Sequence, residues 1–435
     1  MSSMSSLWQD SVNIPKSGRL SGDICTDVLV IGGGLAGLMT AYFLSEKGVD
    51  CVVLEAERIC GATTADTTAK ITALHGLCYS KIIKSYGKEY ASMYYEADSL
   101  AVEGIKKLCN KAEAEVEEKE NFVYSFNQNK LFEEMNALEA LDVPYVYTET
   151  LPLPVAALGA VGFEKQGQFN PLKLAVFLSR KLRIFENTRV KEMKGTTAVT
   201  DWGKVRADKV VVATHFPFIN KHGSYFLKLY QHRSYVLALK NAQRIEEMYV
   251  DNDKTGLSFS SYGDYMLLGG GGHRTGKSGG SFNELRAFKD EHFKDAQEVF
   301  AWAAQDTISL DGIPYIGKYS QNTPDMYVIT GFNKWGMTSS YLGAEIICAD
   351  ILGDKKDYAP VFSPSRSILK PQLLINGLES AKNLIAPSTR RCPHLGCALK
   401  YNKYEHSFDC ACHGSRFSEK GKVLDGPANG DLKMN

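Results

Sequence analysis

No stretch of this 435-residue sequence is apolar for long enough to read as a transmembrane segment. The longest apolar run, Val28 to Leu44, starts just after Asp27 and is interrupted by four glycines, which suits a strand, a turn and a helix. An excess of charge is also missing. Fifty Lys and Arg balance fifty Asp and Glu, so no overall field favours nucleic acid, a membrane surface or acidic ligands. Met1 to Asp23 lacks a basic segment followed by an apolar one, so no secretory signal is read and the cytoplasm is the expected compartment. Compositional bias is absent too: 44% apolar and 23% charged residues sit near the averages of soluble globular proteins, which excludes disordered and fibrous chains. Finally, the cysteines form no framework along the chain. Four of the ten crowd into residues 392 to 412 beside histidines, which points to metal chemistry rather than a general disulfide scaffold.

At roughly 100 to 200 residues per domain, this length predicts two or three domains, and no internal repeat is visible. Thr26 to Ile31 reads as a buried strand, Leu35 to Lys47 as a helix ending at Gly48, and Val49 to Leu54 as a second strand, parallel to the first. Glu89 to Glu120 is dense in helix formers and predicts one long helix or two short ones. Phe169 to Leu182 has helical spacing, Lys204 to Ala213 is a strand, and Ser234 to Gly269 alternates as antiparallel strands do. Asp311 to Gly317, Met326 to Thr330 and Met337 to Leu352 predict a turn, a buried strand and a helix. The proline-bearing stretch 354 to 391 reads as a linker with one short helix near Gln372 to Leu384.

Gly32, Gly34 and Gly37 form a G-x-G-x-x-G pattern placed directly after the first strand and opening the helix. The first two glycines allow a tight turn and close approach of backbone to a pyrophosphate, the third lets helix pack on strand, and the helix start supplies N–H donors. Glu55, 18 positions after Gly37, ends the second strand where a carboxylate can accept from ribose hydroxyls. A dinucleotide site of the Rossmann type is expected, and NAD and FAD both satisfy it.

The run Ile59 to Gly76 (ICGATTADTTAKITALHG), with Asp311 to Thr338 (DGIPYIGKYSQNTPDMYVITGFNKWGMT), resembles FAD-dependent oxidoreductases of the D-amino-acid oxidase superfamily related to glycine oxidase. The chain is most similar to the branch with a C-terminal Rieske domain. The resemblance spans essentially the whole chain. It implies that Thr63, Thr67, Thr68 and Lys70 approach the pyrophosphate and flavin, and that Val190 offers backbone to adenine. It also implies a flavin contact from the turn and helix start that hold Gly331, Lys334, Trp335, Gly336, Met337 and Thr338. A helix start at that place can stabilise negative charge developing on the flavin. The resulting expectation is an α/β chain in three parts: a Rossmann-like FAD-binding domain assembled from 24–95, 169–222 and 300–353; an α+β substrate domain with an antiparallel sheet, from 96–168 and 223–299; and, beyond a 354–384 linker, a small β-rich module at 385–435.

Cys392 and His394 give C-x-H and, after fifteen intervening residues, Cys410 and His413 give C-x-x-H, the Rieske spacing. Two Cys would bind one iron of a [2Fe-2S] cluster and two His the other, placing the potential at about −150 to +300 mV. Zinc is the alternative for the same residues. Cys397 and Cys412 match the pair that forms a disulfide between the two loops in many Rieske proteins, and Ser415 matches the residue that can donate toward a bridging sulfide. The module is abbreviated: few residues precede the first ligand loop and 22 follow His413, so it needs the flavin domain or a second subunit to cover its core.

Arg233, Tyr235, His273 and Arg274 lie at expected strand ends, where an arginine fork could clamp a carboxylate; the alternative is that each arginine makes a structural ion pair. His75 and His215 read as structural histidines, and no catalytic base is named. The expected function is oxidation of a small substrate, most plausibly at the C–N bond of an amine or amino acid. Electrons would pass from reduced FAD to the cluster and on to a one-electron acceptor protein or quinone, making a dehydrogenase rather than an oxidase. An oxygen-using oxidase with a structural metal module, and a non-catalytic redox sensor or zinc protein, are the alternatives. A homo-oligomer is compatible with either.

Overall fold

The computed structural model describes residues 4–253, 256–277 and 281–434. Its first sheet runs in the order Tyr315–Ser320, Thr323–Thr330, Gly203–Val212, Ile24–Ile31, Cys51–Leu54, Arg183–Phe185, with the hairpin Glu192–Lys194 and Thr197–Thr200 attached to Gly203–Val212. The middle strands are parallel, with Ile31 level with both Leu54 and Val212. Leu29, Val30, Val52, Val53, Val210 and Val211 are fully buried, as befits strands covered on both faces. The helices Leu35–Ser45 and Gly336–Leu352 pack against one another over this sheet, and both start at the end where the strands finish.

The second sheet is mostly antiparallel, in the order Gln297–Ser309, Leu229–Lys240, Tyr265–Arg274, Ser258–Tyr262, Met248–Asp251, Glu117–Ser125, Gly159–Gln168, Lys70–Ile71. Gln297–Ser309 carries this sheet past residue 300, where the sequence reading starts the third flavin segment. The helix expected over Glu89 to Glu120 ends earlier, as Lys88–Lys111. Glu113 and Glu115 take positive φ and turn the chain, and Glu117–Ser125 becomes a strand against Gly159–Gln168. Its Glu and Lys favour helix locally, but burial of Phe122, Val123 and Tyr124 decides for the sheet. The turn expected at Asp311 to Gly317 runs on into the strand Tyr315–Ser320.

Residues 354–391 are packed rather than tethered loosely. Val361 and Phe362 are fully buried, and the Arg366 guanidinium forks onto Asp311 at 2.9 and 3.1 Å. The helix expected near Gln372 to Leu384 is Pro371–Ile385. Beyond it, Leu399–Asn402, Ser407–Cys410, Arg416–Ser418 and Val423–Asp425 form an antiparallel four-stranded sheet. Among the described residues, no helix is long and apolar enough to cross a membrane.

Candidate functional site

The glycine loop is built as its pattern demands. Gly32 has φ +111°, and a Cβ there would lie 2.5 Å from the Ala213 carbonyl oxygen, while one on Gly37 would overlap the Gly32 carbonyl. Glu55 closes the loop: its carboxylate accepts from the Gly33 N–H at 2.7 Å and the Glu57 N–H at 2.9 Å, and burial pushes its pKa up. A second carboxylate, Glu186, was not singled out in the sequence. It accepts from Ile59 N and Ser17 N, each at 2.8 Å, and pairs with Arg58. Val190 is buried on the same side, with its carbonyl accepting from the Asn429 amide at 2.8 Å.

The threonine loop and the C-terminal helix start meet across the sheet end. Thr68 accepts from the Lys70 ammonium at 3.0 Å, and burial lowers the Lys70 pKa to about 8. Thr67 accepts from Ala69 N at 3.0 Å, and Thr63 donates to the Gln305 carbonyl at 3.3 Å. Thr338 donates to the Thr72 carbonyl at 2.9 Å and accepts from Thr72 N at 3.0 Å, pinning the loop to the helix. Gly331, Asn333 and Lys334 all take positive φ in the turn before Gly336 and Met337, and the Trp335 ring stacks on His75 at 5.1 Å.

Lys334, in that turn, lies within electrostatic reach of Asp306 and His232. Burial lowers its pKa and Asp306 opposes the shift; burial raises the Asp306 pKa, opposed by Lys334 and His215. Burial also lowers His215, and brings His232 down to about 3 with help from Lys334. His215 Nε2, His232 Nδ1 and Thr307 Oγ1 are buried with no hydrogen-bond partner among the described residues. Buried polar atoms without a partner are costly unless a polar ligand meets them, so the residues present fit a flavin and a small substrate beside it. His232 and Asp306 sit opposite one another in adjacent strands, a pairing that only the register reveals.

The four substrate-pocket candidates lie close to the C-terminal module, His273 within electrostatic reach of His232 and Arg233 within that of Asp306. Arg233 donates to Glu405 through Nε at 3.0 and 3.1 Å and pairs with it again through Nη2, while Tyr235 donates to Glu405 at 2.9 Å. His273 stacks on Tyr235 at 5.9 Å. Arg274 donates to the carbonyls of Ala411 and Cys412, both at 3.1 Å, and to Asn376 at 3.0 Å. Both guanidinium groups are therefore committed to the C-terminal module and its neighbouring helix. The ion-pair alternative describes Arg233: Glu405, 172 residues further along the chain in the module, accepts from its guanidinium.

In the module, Cys392 and Cys410 share a hydrogen bond, and that contact, with the N–H groups of His394 and Leu395 and the Ser415 hydroxyl, lowers the Cys392 pKa to about 7 against the cost of burial. The rings of His394 and His413 stand 4.9 Å apart, edge to face. Burial lowers His394 to about 4 and His413 to about 3, so both imidazoles are neutral near pH 7, as metal ligation requires. Nδ1 of His394 and both ring nitrogens of His413 are buried without a hydrogen-bond partner among the described residues. Cys397 and Cys412 form a disulfide with a Cα–Cα distance of 6.7 Å, so four thiolates for a zinc ribbon are not on offer. Two thiols and two neutral imidazoles are the donor set of a Rieske [2Fe-2S] cluster. The Sγ of Cys410 lies within 4.8 Å of both disulfide sulfurs. Ser415 also accepts from Ala428 N at 3.0 Å.

The two sites face one another. The Gln305 amide donates to the carbonyl of Gly414, next to the ligand His413, at 2.9 Å, and also to Gln231, which itself donates to the Gly426 carbonyl at 3.0 Å. Gly414 and Gly276 have no room for a Cβ: one would run into the Gln231 side chain, the other into the Ala411 backbone. Asp66, in the threonine loop, is raised to about 7 by burial, with Arg233 and Arg416 opposing and Asp425 and Glu405 adding.

A dinucleotide loop on a parallel sheet, a group of buried titratable side chains at His215, His232 and Asp306, and a Cys₂His₂ site define a flavoprotein oxidoreductase with an iron–sulfur module. The chain belongs to the FAD dependent oxidoreductase family, whose model matches residues 27–349, and it carries a Rieske [2Fe-2S] domain matched over 365–434. The Rieske match begins before residue 385, taking in the helix Pro371–Ile385. The chain is similar over 98% of its length, at 31% identity, to YhfW of Bacillus subtilis (strain 168), named as a Rieske 2Fe-2S iron-sulfur protein, and covers 96% of it. It is 25% identical to the gamma-glutamylputrescine oxidoreductase of Escherichia coli (strain K12), over 78% of this chain and 86% of that one. The crystal structure of glycine oxidase from Geobacillus kaustophilus shares the fold at a TM-score of 0.66 and 19% identity, over 79% of this chain and 99% of that one. The protein is an FAD-dependent oxidoreductase with a Rieske [2Fe-2S] domain.

Proposed function

We propose that the chain oxidises the C–N bond of a small amine or amino acid and passes the electrons through the Rieske centre to a one-electron acceptor, protein or quinone, acting as a dehydrogenase. When bound, FAD supplies a two-electron acceptor for the substrate and the cluster a one-electron outlet. The observation that carries this reading is Gln305: its carbonyl accepts from Thr63 of the flavin loop while its side chain donates to Gly414 of the cluster loop. One residue thus touches the surroundings of both centres. The glycine loop, Glu55, Thr63, Thr67, Thr68, Lys70 and Val190 would hold the dinucleotide, and Gly331 to Thr338 would meet the flavin. Cys392, His394, Cys410 and His413 would hold the cluster.

On the substrate side, His215 and His232 remain neutral near pH 7 and can accept a hydrogen bond from an amine, while Asp306 and Lys334 influence one another electrostatically. The names of the relatives, a gamma-glutamylputrescine oxidoreductase and a glycine oxidase, support a nitrogen-bearing substrate. The test is an anaerobic screen of amines and amino acids that follows flavin bleaching and the electron paramagnetic resonance (EPR) signal of the reduced cluster together. Bleaching followed by the cluster signal is expected. Bleaching with no cluster signal, and rapid peroxide formation in air, would replace the dehydrogenase with an oxidase.

A further inference from the structure

The helix Pro371–Ile385 is built inside out. Its buried positions are the polar Asn376 and Asn383, while Leu374, Ile375, Leu378, Leu384 and Ile385 face outward. Leu369, just before it, and Ile385 are 84% exposed, and Leu374 and Leu378 are 72% exposed. At helical spacing, positions 374, 375, 378, 382 and 385 form one stripe along the outer face.

The polar side is what fixes this orientation. Asn376 accepts from Arg274 at 3.0 Å, and the Asn383 carbonyl accepts from Ala398 N at 2.8 Å. Arg391 donates to the carbonyls of Leu384 and Gly396, both at 2.9 Å, clipping the helix end to the first ligand loop. The helix therefore cannot roll its leucines inward without breaking its ties to the cluster module. Contiguous apolar stripes of this kind on a soluble chain mark interaction sites.

The charges around the stripe are basic. Lys382 lies within it, Lys370 precedes it, and Arg390 and Arg391 follow; Lys382, Arg390 and Arg391 are exposed. The one acid of the helix, Glu379, is paired with Lys277. This local excess stands in a chain whose formal net charge is zero. Leucine and isoleucine bordered by Lys and Arg suit a helix lying flat in the headgroup region of a bilayer. There the apolar side chains enter the acyl boundary and the cations reach lipid phosphates. We infer that Pro371–Ile385 docks the protein on an anionic membrane surface, with the iron–sulfur module held beside the lipid.

The purified full-length protein is mixed with phosphatidylcholine vesicles, with and without phosphatidylglycerol, and sedimented. Binding to the phosphatidylglycerol vesicles is expected, weakening as salt is raised. The double variant Leu374→Ser, Leu378→Ser should lower the partition coefficient at least about tenfold, from the loss of two apolar anchors. Its flavin absorbance should be unchanged, because neither residue is buried. Failure of the unmodified protein to sediment with these vesicles, or equal binding by the double variant, would overturn the inference. So would sedimentation velocity showing a dimer that the double variant dissociates while vesicles capture neither form, since the stripe would then belong to a second copy.

Discussion

The flavin-binding body and the C-terminal module solve the burial problem differently. The body hides whole strands: the hydrophobic core around Val30, Leu38, Val53 and Val211 is continuous from the first sheet into the helices above it. The module's own core comprises ten buried residues, four of them cysteines. So small a core cannot offset the ordering of its chain, and the module draws instead on a disulfide, a metal cluster and its neighbour. Its contact with the body combines the rings of Phe216 and Phe226 against His413 with charged and polar ties. Arg416 is held by Glu405, Asp409 and Asp425, and Glu405 is shared with Arg233 of the body. A large domain can stand on apolar packing alone, whereas a small one takes its partner's side chains into its own structure.

The largest effect that would sharpen this contrast is expected from His394→Ala. The cluster EPR signal should vanish while flavin absorbance persists; loss of flavin as well would break it, making the module a support for the body. Glu405→Ala comes next. It takes from the buried Arg233 its close partner, while Arg416 keeps Asp409 and Asp425, and should cost about 3–5 kcal/mol of module docking, visible as early proteolysis of the C-terminal region with the body intact. Gln305→Leu should be milder. It leaves the Gly414 carbonyl and the Thr275 hydroxyl short of a partner, about 1–3 kcal/mol each, and should slow cluster reduction while flavin reduction by substrate keeps its rate.

The smallest effect near neutrality concerns acid. The Glu405 pKa lies at about 2, below its ordinary value of 4.5, because the attraction of Arg233 and Arg416 outweighs burial. A carboxylate depressed in the folded state stabilises it above its unfolded value and loses that contribution as pH falls toward the folded one. The Glu405 contribution to module docking should therefore be flat with pH around neutrality and weaken between about pH 4.5 and 2. Glu405→Gln should flatten that part of the acid unfolding curve followed by circular dichroism.

The parts of this molecule that could be read from its sequence are those whose chemistry is written over short spans. Gly32, Gly34 and Gly37 need only a strand before them and a helix after, and Cys392 with His394 needs only a loop. The comparisons support the FAD and Rieske assignments that rested on these spans. Contacts made across long separations were not legible. Arg233 looked like a substrate clamp because Glu405 lies far along the chain, and His232 with Asp306 emerges only from the pairing of two strands. Glu117 to Glu120 failed for a related reason: local propensity favours helix, and the burial that overrides it comes from a strand some forty residues on. The helix Pro371–Ile385 was expected near its observed place, but its outward leucines could not be foreseen, since an amphipathic pattern does not say which face the rest of the chain will claim.

Glycine at 276 lets its backbone approach that of Ala411, and glycine at 414 makes room for the Gln231 side chain, where a Cβ would prop the parts apart. A module seated that tightly has no slack in which to commute between a donor and a remote destination. On the proposed electron route, an acceptor would therefore be expected to reach the cluster where the module sits.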